Sequence, residues 1–169
     1  MLRVLTLIAA LAAFALPAQA EMTQDRLAEI AEALDPAVEK SGNVLRFVVE
    51  DVPVSVVSDQ VHNRMRVMVM VRSATGLSPD EMYRIMQANF DSALDARYAI
   101  AQNRLIAVFI HPLGSLSKED FLSGIGQTVN LALTYGTTYT SGGLTYGGGD
   151  SNQLHRELID RLLKKGEKI

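Results

Sequence analysis

The chain has 169 residues, 16 basic against 19 acidic side chains for a net charge of −3, and no cysteine. The acidic balance argues against non-specific nucleic-acid binding, which draws on clustered positive charge. Without cysteine there are no disulfides, thiolate metal sites or thiol nucleophiles, so the domain must stand on its hydrophobic core.

Residues 1–20 carry the marks of a cleavable secretory signal: Arg3 as the positive start, an apolar run over 4–16, and Ala18-Gln19-Ala20 as the small-x-small cleavage sequence. Cleavage is expected between Ala20 and Glu21, because the apolar run is shorter than the ~20 residues of a membrane-spanning helix. The expected location is the bacterial periplasm. No later run is apolar and long enough to span a membrane, so no membrane span is expected after processing.

Leu27, Ile30, Leu34 and Val38 then line one face of an amphipathic helix. Asp35-Pro36 is placed to interrupt it, since proline lacks a backbone donor and disfavours helical geometry in the residue before it. Over 44–73 the apolar residues alternate and valine is frequent, which predicts three strands at about 44–50, 54–58 and 64–73. In the third, Met65, Val67, Val69 and Val71 form the core face, and Arg64, Arg66, Met68, Met70 and Arg72 share the other.

Ser78-Pro79-Asp80-Glu81 is the sharpest local signal: a serine cap, a proline at the first helical position and a glutamate closing a capping box. The helix it starts is expected to bury Met82, Ile85, Met86, Phe90, Ala93 and Leu94 and to end near Asp95. Two strands follow at about 98–101 and 105–111, and their short link predicts a hairpin. Residues 105–110 are apolar on both parities, which predicts a strand covered on both faces.

Ser117 caps a third helix with Phe121, Leu122, Ile125, Val129 and Ala132 on its buried side. Gly124 and Gly126 inside it cost ~1 kcal/mol each relative to alanine, a cost that close packing on the sheet would explain. Six glycines between 136 and 149 have the composition of a link. A last helix over 151–169 follows, with Leu154, Leu158, Ile159, Leu162 and Leu163 on one side. The expected organisation is thus a signal peptide (1–20), a domain (21–139), a glycine-rich linker (140–150) and a C-terminal helix (151–169). The fold class is α+β, an antiparallel sheet of about five strands in the order α-βββ-α-ββ-α plus the extra helix.

Met86-Gln87-Ala88-Asn89-Phe90, Asn103-Arg104-Leu105, His111-Pro112-Leu113 and Leu116-Ser117-Lys118-Glu119-Asp120-Phe121 follow one another in this order of elements. Together they resemble the type III secretion chaperone-like fold and the similar YbjN-like domains, over residues 27–139. The resemblance implies small acidic homodimers that hold an unfolded segment of another protein along their surface. This chain differs in its signal sequence and in its added link and helix.

No residue set resembles a catalytic site, and no enzyme activity or cofactor is expected. His62, His111 and His155 share no element at ligand spacing, and no serine lies in a Gly-x-Ser-x-Gly context. Gly147-Gly148-Gly149-Asp150 lacks the Lys-Ser/Thr of a phosphate loop and puts a carboxylate where phosphate would sit. Two expectations remain. The first is capture of a protein or peptide segment on Arg66, Met68, Met70 and Arg72, a face that the last helix would cover at rest. The alternative is Cu(I) held by the paired thioethers of Met68 and Met70, with His62 adding a nitrogen.

Overall fold

The computed structural model describes residues 21–91, 93–136 and 151–167. The expected signal peptide, with Ala20 of its cleavage site, and the glycine-rich linker lie outside the described residues. The helices are α1 (Gln24–Leu34), α2 (Pro79–Asp91), α3 (Lys118–Leu133) and α4 (Ser151–Gly166). The strands are β1 (Glu39–Ser41), β2 (Val44–Val49), β3 (Val52–Asp59), β4 (Arg64–Ser73), β5 (Arg97–Ala101) and β6 (Arg104–His111). All six strands join one antiparallel sheet in the order β1-β2-β3-β4-β6-β5.

The strand beyond the expected five is β1, three exposed residues with no alternation to detect. It exists because α1 stops at Leu34 before Asp35-Pro36, which frees Val38 from the helix and lets the chain turn back through Gly42 at φ +56°. Asp35 secures the junction: its carboxylate accepts from the N–H of Ala37 and, at 2.9 Å, from the N–H of Val48, beyond the reach of β1. Glu50-Asp51 and Gln102-Asn103 make two-residue hairpin turns with positive φ at both positions.

Helices α1 and α3 lie against one face of the sheet, and α4 packs on α3 and α1 from outside. Phe121, Leu122, Ile125 and Val129 of α3 are fully buried. A burial of that kind stabilises by roughly 1.5–3 kcal/mol per side chain. Gly124 meets the sheet: a Cβ there would stand 2.5 Å from Cδ1 of Phe109. Gly126 serves a different neighbour, since its Cβ would stand 2.8 Å from Cγ1 of Ile159 in α4.

The last helix therefore does not cover the face bearing Met68 and Met70; it is docked on the opposite side of the molecule, on the helix layer. Leu158 and Leu162 are buried there, Lys118 donates to the carbonyl of Gly166 at 3.0 Å, and Arg161 pairs with Glu50 at 3.1 Å. The expectation for β6 is corrected as well. Leu105, Ala107 and Phe109 are buried, whereas Ile110 is exposed and no described helix lies over its side of the sheet.

In α2 the capping box forms as expected, with Glu81 N–H donating to Ser78 Oγ and Ser78 N–H to Glu81 Oε2. The buried stripe is narrower than its periodicity predicts. Ile85 and Ala88 are buried while Met82, Met86 and Phe90 are exposed, and the helix ends at Asp91, short of the expected Asp95, so that buried Ala93 and exposed Leu94 lie beyond it. The helix lies along the outer edge of β5, where the side chain of Asn89 accepts from Tyr98 N–H at 2.7 Å and donates to its carbonyl at 3.1 Å. One flank alone can then face the protein.

Candidate functional site

The uncovered sheet face is built by strand parity. Each of its residues alternates with one that points into the core. Cross-strand register sets Arg66 between Val57 and Ile110, Met68 between Ser55 and Val108, and Met70 beside Ile106. The Met68 row extends outward to Arg46 in β2 and Arg97 in β5. Met70 is 58% exposed, Ile110 52% and Val48 46%, an unusual grouping of large apolar side chains at the surface of a small domain.

Arg72, expected on this face, is not there. A register shift between Met70 and Arg72 brings Arg72 opposite Leu105, a core residue, and so turns it to the helix side. Its guanidinium lies 3.7 Å from Glu81 and 6.0 Å from the centre of the Tyr135 ring. Arg46 and Arg97 take its place at the margins of the apolar patch. The parity of 44–49 assigns Arg46 to this face, but strand order is needed to bring either arginine beside Met68.

Arg46, Arg66 and Arg97 are exposed, and among the described residues none has a carboxylate within ion-pair distance. Arg97 folds back to donate to the carbonyls of Leu94 and Ala96 and lines a cleft that also holds Asp95 and Asp120. Asp59, at the turn end of the sheet, is committed elsewhere. The backbone N–H and then the ring of His62 bond its carboxylate and hold it below the usual range of an aspartate.

His62 sits in the β3–β4 turn, and Met68 lies four strand residues beyond Arg64, about 13 Å further along. One ion cannot bridge that distance, so His62 does not complete a site with Met68 and Met70. Among the described residues no group of three His, Cys, Asp or Glu side chains could hold a metal. His111 stacks on Phe109 with ring centres 5.9 Å apart, and its Nδ1 lies 2.8 Å from the Pro112 carbonyl.

A polar cleft of about 470 Å³ opens near the start of β5, lined by Asp95, Arg97, His111, Asp120, Ser123 and Gln127 among others. Its central amide is fully used. Gln127 accepts from the N–H groups of Asp95 and Ala96 at 2.8 and 3.0 Å and donates to Asp95 and Ser123. That arrangement holds the loop before β5 and presents no activated nucleophile.

No protein-family model and no curated protein matches the chain by sequence. Solved structures do match by shape. A chain of the ExsC–ExsE complex superposes with a TM-score of 0.52 at 14% identity, covering 64% of this chain and 86% of that one. A chain of the HopA1–SchA chaperone-effector complex gives 0.50 at 5% identity, covering 64% and 91%. A chain from the structure of the Yersinia pestis type III secretion chaperone SycH with a fragment of YscM2 gives 0.47 at 15%, covering 62% and 98%. At these identities the likeness of the first two is one of fold: this chain shares their α+β architecture over about 64% of its length.

Proposed function

We propose that the chain is the precursor of an exported, non-enzymatic, chaperone-like domain that captures a segment of another protein on its open sheet face. The observation that carries this is the uncovered apolar surface of β4 and β6, where Met68, Met70 and Ile110 lie beside Arg66. An apolar sheet face is normally buried against another element. Here none of the described helices provides one. The fold supports the same reading, because structures of this shape include a chaperone in complex with its effector.

Export to the periplasm rests on the signal sequence in residues 1–20, and kinship with YbjN-like domains on the quoted motifs. A homodimer formed through the exposed flank of α2, with Met82, Tyr83 and Met86 at its centre, completes the reading. Such a contact leaves the sheet face free.

The test is suppression of aggregation of a chemically unfolded client by the mature protein. Met68→Asp/Met70→Asp is expected to abolish protection while leaving the urea midpoint nearly unchanged. Met82→Asp/Met86→Asp is expected to change the sedimentation coefficient instead. Full protection by the Met68/Met70 variant would overturn the assignment of the site.

A further inference from the structure

The open surface is a face of a sheet and not an edge, and that limits what can lie on it. An extended segment laid flat there would set its N–H and C=O groups over Met68, Met70, Val108 and Ile110, with about 1–3 kcal/mol lost for each group left without a partner. Strand addition needs an edge: the β5 edge is occupied at Tyr98 by the amide of Asn89, and the β1 edge is only three residues long and stands three strands from Met68 and Met70. A helix satisfies its own backbone and presents a stripe of side chains. It is also the usual cover for a strand such as β6, apolar on both parities.

Charge narrows the choice further. The protein is acidic overall, yet Arg46, Arg66 and Arg97 surround the apolar patch and, among the described residues, no carboxylate is paired to them. Arg46 and Arg97 each stand two strands from Met68 in one register row, about 10 Å to either side. A helix crossing the strands advances 1.5 Å per residue, so 10 Å is about seven residues. The chain's own α4 does not qualify, since it is docked on α3 and carries Arg161, Lys164 and Lys165.

We infer that the occupant of the open face is an amphipathic helix of a partner protein, apolar along its centre and carrying carboxylates about two turns to either side for Arg46 and Arg97. The inference rests on the proposed capture role and names the class of segment captured. Arg66, one alternate residue along β4 from Met68, accepts a third carboxylate on the flank of that helix.

The experiment uses the mature full-length protein and three labelled 18-residue peptides, followed by fluorescence anisotropy. One is a helix with an apolar stripe and glutamates at both ends, the second has lysines for the glutamates, and the third carries prolines that forbid the helix. The glutamate helix is expected to bind most tightly, to weaken with added salt, and to lose about threefold to tenfold in affinity for each of Arg46→Gln and Arg66→Gln. Both arginines are exposed and have no carboxylate partner among the described residues, so these variants are expected to keep the fold, and a urea titration verifies it.

Equal or tighter binding of the lysine or proline peptide, with client protection still sensitive to Met70→Asp, overturns the inference and leaves the capture role standing. No peptide binding together with client protection that ignores Met70→Asp removes the capture role itself. Binding of phosphatidylglycerol vesicles in place of any peptide assigns the face to a lipid surface. Dissociation of a dimer by Met70→Asp assigns it to a second copy. Either result overturns the partner helix.

Discussion

The two faces of β4 share one backbone and differ in everything above it. Met65, Val67 and Val69 lie beneath α3 and are almost completely buried, whereas Arg66 and Met70 of the same strand are exposed. Methionine occurs on both faces, so residue type does not decide the environment. What decides it is whether a helix lies over the strand, and the covered face supplies stability while the open one remains free for recognition.

The sharpest break of that comparison is on the covered side. Phe121→Ala is expected to cost about 3–5 kcal/mol, read as a lowered urea midpoint, because Phe121 is wholly enclosed between sheet and helices. Gly124→Val should cost about 1–3 kcal/mol through overpacking against Phe109. An unchanged midpoint would mean that α3 stands further from the sheet than described. Gln127→Leu strips partners from the buried N–H of Ala96 and from that of Asp95, and is expected to cost about 1–3 kcal/mol.

Smaller effects belong to the rim and the open face. Asp35, Asp59 and Glu81 are held below their ordinary range: Asp35 chiefly by the N–H of Ala37 and then of Val48, Asp59 by His62, and Glu81 by the N–H and then the hydroxyl of Ser78. A depressed carboxylate contributes stability that is present above its unfolded pKa and lost as pH falls through its folded value. Thermal stability should therefore decline on the acid side of about pH 4.5, with a shallower decline in Asp35→Asn. All three groups are exposed, so the slope is small. Met70→Ser closes the series: its stability should stay within about 0.5 kcal/mol of the parent, and any larger loss would show that the open face is covered after all.

Much of this fold is legible in the chain. The alternation in 64–73 assigns Met65, Val67 and Val69 to the core, and the capping box at Ser78 marks the start of α2. The errors in α2 and β6 share one cause. For α2 and β6, periodicity identifies an apolar surface without saying whether anything covers it, and Met86 and Ile110 prove to be exposed. The candidate site was half legible for a related reason. Arg66, Met68 and Met70 share a face by parity alone, but the bulge that removes Arg72 and the strand order that supplies Arg46 and Arg97 are long-range facts.

By itself, then, the sequence determined the four helices and five of the six strands, because period and capping residues are local properties, while β1, three exposed residues without alternation, escaped it. Tertiary structure alone decided the sheet order, the bulge after Met70 and the seat of α4 at Gly126, because each depends on a neighbour distant in the chain. The open face is a product of both. Local alternation made it apolar and basic, and the docking of every described helix elsewhere left it uncovered.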